Sequence, residues 1–192
     1  MQPMQAKLSV NASFFLYCAL LMLLLPLRWV LAAMAAAVIH ECFHILAIKL
    51  CRVELLQVTV GAFGAKLHTG TMTYQQELIC ALAGPVGSLS ILILRTHFPV
   101  IAFCCAVQAA FNMLPLYPAD GGRAVRCILL LLLPSHRAEK YIYTLERILR
   151  VGIILLCLYG VCVLKLNISV LLAVMVFCFG KFPCNTSKFK VQ

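Results

Sequence analysis

Residues 30–50 read VLAAMAAAVIHECFHILAIKL, an apolar run whose second half carries His40, Glu41 and His44. A helix of about 20 apolar residues crosses the hydrocarbon core of a bilayer, so this stretch predicts a transmembrane helix. Ionisable side chains inside such a helix are costly and usually mark a functional site. The stretch therefore indicates both the class of fold and the place of the chemistry.

The composition of the whole chain agrees with a membrane protein. Of its 192 residues, 64% are hydrophobic and 11% are charged, whereas soluble domains are near half apolar and a quarter charged. The mean hydropathy of +1.01 excludes a soluble enzyme, a disordered tail and a nucleic-acid-binding domain. The net charge of +10 is instead typical of cytoplasmic loops that contact anionic lipids of the bilayer.

Apolar runs predict an all-α polytopic membrane protein with about six transmembrane helices. The expected spans are Leu8–Leu27, Val30–Leu50, Leu78–Leu94, Pro99–Leu116, Leu149–Leu164 and Ile168–Phe179. Between the second and third spans, β-branched residues punctuated by Gly61 and Gly64 predict a small β-hairpin at the membrane surface. We expect residues 1–192 to form a single domain, with a core at about 30–126 and accessory helices before and after it.

The distribution of basic residues predicts the orientation. If both termini lie in the cytoplasm, only Arg28, Arg95 and Lys165 fall outside, and the other 13 of the 16 lysines and arginines lie inside. Cytoplasmic loops carry such an excess of positive charge. We therefore expect a multi-pass protein of the cell membrane whose hairpin and candidate site face the cytoplasm.

The H-E-x-x-H pattern at residues 40–44 has a specific chemical meaning. His40 and His44 share one helix face, so that two imidazoles can bind one metal ion, with Glu41 beside it as a general base. The alternative is that these polar residues only form hydrogen bonds between helices.

A zinc hydrolase site needs a third protein ligand and an open position for water. The only aspartate of the chain is Asp120, within residues 112–122, which read NMLPLYPADGG. Its two prolines and two glycines break the helix, and broken backbone at membrane depth is tolerated only against protein or a water-filled cavity. Beside the histidine pair, Asp120 is the predicted third ligand, although such a sequence also forms plain turns.

His40–His44 together with Asn112–Gly122 resembles the site-2 protease family of intramembrane zinc metalloproteases, whose members combine H-E-x-x-H with N-x-x-P-x-x-P-x-D-G-G. Ala83-Gly84-Pro85 is similar to a small-residue break in that family, and the hairpin falls where the family has a membrane-associated sheet. Ala119 and Cys42-Phe43 depart from the usual residues without removing a ligand or the base.

The resemblance implies Zn²⁺ as cofactor, with His40, His44 and Asp120 as its ligands and Glu41 as the catalytic acid/base. It also implies that Asn112 lines the site or holds the substrate, although a hydrogen bond between helices explains Asn112 equally well. The implied substrate is a membrane-tethered protein, and the core-sized chain is closest in style to the sporulation-type members. A regulatory membrane partner is possible, and the alternatives are a catalytically silent scaffold of the same fold or a metal transporter.

Several other polar residues are predicted to have no special role. His68, His97 and His136 have no partners at metal-ligand spacing and are expected on the surface. Glu54 and Glu77 flank the hairpin and need no function to explain them. The 11 cysteines mostly lie in apolar runs, where cysteine behaves as a small hydrophobic residue.

Overall fold

A computed structural model of the protein describes residues 7–61 and 64–163. Within these residues the chain forms three strands, six α-helices and a short 3-10 helix at Ile91–Leu94. In order they are β1 (Lys7–Val10), α1 (Ala12–Leu24), α2 (Leu27–Leu50), β2 (Leu55–Gly61), β3 (Gly64–Thr69), α3 (Tyr74–Ser90), α4 (Pro99–Asn112), α5 (Asp120–Leu132) and α6 (Ser135–Cys162).

The centre of the fold is formed by α2, α3, α4 and α5. Helix α3 packs against the other three, and α2 also packs against α4. Small residues fill these contacts, since Ala36, Ala81, Ala102, Cys105 and Ala109 are all nearly fully buried. Small side chains let helix backbones approach closely where the surrounding solvent is lipid rather than water.

Two helical segments in the described part of the chain are long and apolar enough to cross a membrane, α2 and the continuous stretch Tyr74–Leu94. These match the second and third predicted spans. The first and fourth predicted spans are shorter apolar helices, α1 and α4. Many large apolar side chains face outward, with Leu23 84% and Ile93 83% exposed, as expected for contact with lipid.

The prediction of six transmembrane helices is therefore confirmed only in part. Leu149–Leu164 largely belongs to α6, which begins much earlier, at Ser135, because its polar first half keeps helical periodicity. Ile168–Phe179 lies outside the described residues. The stretch around residues 123–133, too short to cross alone, forms α5.

The predicted hairpin is present but belongs to a three-stranded sheet in the order β1-β2-β3. Strands β2 and β3 pair antiparallel, with Val58 opposite Leu67, and β1 pairs parallel to β2, with Leu8 opposite Val58. The protein is thus mostly helical rather than all-α. The expectation that the first helix begins at Leu8 was wrong, because Lys7–Val10 forms the third strand of the sheet and α1 begins only at Ala12.

Candidate metal site

Three side chains that could hold a metal ion converge between α2 and α5. Asp120 Oδ2 lies 3.0 Å from His40 Nε2 and 3.1 Å from His44 Nε2, and the two Nε2 atoms are 3.1 Å apart. All three residues are buried, with exposures of 2%, 5% and 7% for His40, His44 and Asp120. The structure thus brings together the three predicted ligands, which are up to 80 residues apart in sequence.

The two imidazoles are oriented by α3. His40 Nδ1 lies 3.0 Å from Ser88 Oγ, and His44 Nδ1 lies 2.7 Å from the carbonyl oxygen of Cys80. Histidines that ligate metals almost always use the second ring nitrogen in this way, which fixes the ring and directs the first nitrogen at the metal. The sequence does not predict either partner, because their positions depend on how α3 packs against α2.

The third ligand is presented by the broken chain before α5. Asp120 is the first residue of α5, and the loop that precedes it folds tightly against this helix. A Cβ at Gly121 would overlap the backbone of Met113, and one at Gly122 would overlap the backbone of Leu116. The glycines after the aspartate therefore permit a close approach that turns its carboxylate toward α2.

The donor set fits a divalent metal. A carbonyl oxygen can only accept, so His44 Nδ1 donates to the carbonyl of Cys80. In the neutral form of the ring, Nε2 then keeps a lone pair that can bind a metal. His44 Nε2 faces Asp120 Oδ2 and His40 Nε2. Three possible ligand atoms therefore meet in a buried space. Lone pairs gathered in this way repel one another unless a cation or proton lies among them. Two imidazoles and a carboxylate form a donor set typical of catalytic zinc sites.

Glu41 is not one of the three converging ligands. It is half-buried, and its Oε1 accepts from the backbone N–H of Ala65 at 3.4 Å. Strand β3 therefore begins beside this carboxylate, which is one residue from His40 on α2. The position is compatible with the predicted role as a base.

Asn112 ends α4 at the edge of the cluster. Its Nδ2 lies 3.4 Å from His40 Nε2, so the structure places it at the site as expected. This contact agrees with a hydrogen bond between helices and equally with a residue that lines the substrate position. The role of Asn112 stays a prediction.

The residues expected to lack a role divide into two groups. His68, His97 and His136 are exposed, in agreement with their predicted surface positions. Glu77 differs, because its Oε1 accepts from Arg123 Nε at 3.3 Å, and Arg123 Nη1 donates to Asp120 Oδ1 at 3.3 Å. This ion pair does not test the prediction that Glu77 needs no special role, and the nearby sequence gives no signal for so long-range a contact.

The described residues form a mostly helical fold in which two helices are long and apolar enough to cross a membrane, and this fold holds a buried cluster of two histidines and one aspartate. The structure is similar to a solved chain described as a site-2 protease from Methanocaldococcus jannaschii, with a TM-score of 0.68 and 21% identity over 99% of this chain and 98% of that chain. No protein-family model and no curated protein sequence matches. The resemblance drawn from the motifs is thus supported by an independent likeness in fold.

Gly84 provides a test of how tightly the site is packed. A Cβ at this position would overlap the His44 ring and lie 2.8 Å from His40 Cε1. We expect Gly84→Ala to displace the histidines and to weaken metal binding at least about 10-fold. This is the lower end of the loss in metal affinity seen when a residue that supports a ligand is mutated. Elemental analysis of the purified chain measures this.

The matched control is Gly152→Ala in α6, where an added Cβ would meet nothing within 4 Å. Alanine is favoured over glycine inside a helix by about 1 kcal/mol, so this variant should bind metal like the wild type. Unchanged metal binding in Gly84→Ala would contradict the described packing of α3 on the ligands.

Proposed function

We propose that this protein is an intramembrane zinc metalloprotease of the site-2 protease type. It hydrolyses a peptide bond within or next to a transmembrane segment of a membrane-tethered protein. The observation that carries the proposal is the buried triangle of His40, His44 and Asp120, with Glu41 adjacent on a helix long enough to cross a bilayer. The likeness in fold to a solved site-2 protease supports the same conclusion.

In this proposal His40, His44 and Asp120 would hold Zn²⁺. The chemistry that zinc supplies when bound is Lewis acidity, which makes water a stronger acid and a carbonyl carbon more electrophilic. The protein contributes the geometry, because Ser88 and Cys80 fix the two rings and the loop before α5 fixes the carboxylate.

Glu41 acts as the general base and then as the general acid. Its Oε1 is occupied by the N–H of Ala65, which leaves Oε2 to accept a proton from water. The same oxygen then returns the proton to the leaving amine, as peptide hydrolysis requires. Asn112, beside His40, is placed to contact the substrate backbone.

The substrate must reach this site in an extended form, because the carbonyl groups of a helix are engaged in internal hydrogen bonds. Strand β3 is an edge of the three-stranded sheet in the described part of the chain, and it begins next to Glu41. An unwound substrate segment can add to such an edge through backbone hydrogen bonds. We propose that the substrate pairs with β3 in this way.

The site is proposed to face the cytoplasm, since 13 of the 16 basic residues lie on that side in the expected topology. Lys66, exposed on β3, gives a direct test. In a variant whose 11 native cysteines are replaced, a cysteine introduced there should resist a membrane-impermeant thiol reagent in intact cells, whereas one at Arg95 should react. The reverse pattern would contradict the orientation. Cys184, which the same topology expects in the cytoplasm, lies outside the described residues.

The proposed function is tested by expressing the chain together with a membrane-tethered reporter protein and measuring the ratio of cut to uncut reporter. Wild-type protein should cut, and His44→Ala should not. A silent scaffold would bind metal without cutting, whereas a transporter would move metal into sealed vesicles. Cutting by wild type and His44→Ala at the same rate would overturn the proposal. A role in sporulation and a regulatory membrane partner stay predictions that rest on the resemblance alone.

A further inference from the structure

The two carboxylate oxygens of Asp120 have different partners. Oδ2 faces both histidine Nε2 atoms, whereas Oδ1 accepts from Arg123 Nη1 at 3.3 Å. Arg123 lies one turn along α5 from Asp120, so the two side chains share one helix face. The orientation of the third ligand is therefore coupled to the position of this guanidinium.

Arg123 is itself held by a residue of another helix. Its Nε donates to Glu77 Oε1 at 3.3 Å, from the first turn of α3. The side chains of Glu77 and Asp120 are only 13% and 10% exposed, so the guanidinium bridges two largely buried carboxylates. The rigid planar fork of arginine suits such a bridge, whereas lysine provides a single point of charge.

Glu77 has a further feature that links it to the charge of the site. Its Oε2 is buried and has no hydrogen-bond partner among the described residues. A buried carboxylate oxygen left in this state is costly, and one arginine serves two carboxylates here. Arg123, Glu77 and the ligand Asp120 together therefore have a net negative charge, which favours a cation at the histidines.

We propose that Arg123 and Glu77 are positioning residues for the metal site. Glu77 anchors the guanidinium of Arg123, and Arg123 holds Asp120 Oδ1 so that Oδ2 stays directed at His40 and His44. This inference rests on the metal site of the proposed function and assigns roles to two residues outside the ligand set. Neither residue contacts the reacting atoms.

The test is the affinity of the full-length purified chain for Zn²⁺, measured by competition with a chelating dye. Loss of a residue that supports a metal ligand costs about 10- to 100-fold in affinity, and we expect a loss in this range for Arg123→Met. Arg123→Lys should be intermediate, because an ammonium keeps the charge without bridging both carboxylates. The visible absorption spectrum of the Co²⁺-loaded chain should also change in Arg123→Met, since it reports ligand geometry.

A double variant separates positioning from a merely structural ion pair. Replacing both members of a buried pair with apolar residues is often neutral for stability, so Glu77→Leu with Arg123→Met should unfold near the wild-type temperature. Because Asp120 still lacks its partner, the affinity for Zn²⁺ should stay lowered in this double variant. Recovery of wild-type affinity together with stability would overturn the proposal.

Arg126→Met is the matched control on the same helix. Arg126 pairs with Glu139 of α6 at 3.1 Å and lies one turn further from the ligands, so its loss should leave Zn²⁺ affinity and the Co²⁺ spectrum unchanged. If wild type binds the metal and Arg123→Met binds it equally well, the positioning role is wrong while the proposed function stands. If wild type binds no metal, the proposed function fails and this inference fails with it.

Discussion

The Asp120→Asn variant is expected to lose its bound metal almost completely. The amide has nearly the same size as the carboxylate but lacks its charge, and its nitrogen is a donor rather than a ligand. We expect the affinity for Zn²⁺ to fall at least about 100-fold. Mutating a residue that only supports a ligand lowers metal affinity by up to about 100-fold, and here a ligand itself is replaced. The metal content of the purified chain, measured by elemental analysis after dialysis, checks this.

Glu139→Gln is a suitable control for the same chemical change. Glu139 lies on α6, with a side chain that is 57% exposed, and its replacement should leave the metal content at the wild-type value. One metal per chain retained by Asp120→Asn would mean that another residue serves as the third ligand.

The second large effect is expected for Glu41→Gln, which separates catalysis from metal binding. Glutamine keeps the shape of the side chain and can still accept from Ala65 N–H, but it cannot take a proton from water. Since no ligand is lost, the metal should stay bound and the fold should be preserved. Cleavage of the tethered reporter should fall by about 10²- to 10⁴-fold, which is the usual contribution of general acid/base catalysis.

The exposed Glu54, in the turn before β2, offers a control for this variant, and Glu54→Gln should cut the reporter at the wild-type rate. Near-normal cleavage by Glu41→Gln would mean that another group activates the water and would contradict the assigned base.

The sequence predicted the parts of the site that depend on local geometry. The spacing of His40 and His44 places both on one face of any helix, and the structure confirms this convergence. Asp120 was predicted because it is the only aspartate and follows a run of helix-breaking residues. Its approach to α2 is a long-range contact, which the sequence indicated only through the motif around Asp120.

The parts that escaped prediction depend on packing between distant elements. The pair of Glu77 and Arg123 spans 46 residues and exists only because α3 and α5 pack together. The carbonyl of Cys80 accepts from His44 only because α2 and α3 pack together. Every residue has a backbone carbonyl, so the residue type at position 80 does not indicate this contact.

Strand β1 shows a different limit. An apolar segment such as Leu8–Val10 fits a membrane helix or a sheet equally well by composition. Its parallel pairing with β2 joins residues about 50 positions apart, and this contact decided in favour of a strand. Likewise, α6 runs continuously through a polar half and an apolar half, so the span predicted from hydropathy covers only its apolar half.

The central claim is that a metal held by His40, His44 and Asp120 is required for peptide-bond hydrolysis by this chain. The most direct measurement is a titration of the metal-free wild-type protein with Zn²⁺ in the presence of the tethered reporter. We expect no cut product without metal, and a rise that saturates at one zinc ion per chain. Equal cutting with and without metal, or no cutting at any zinc concentration, would contradict the account.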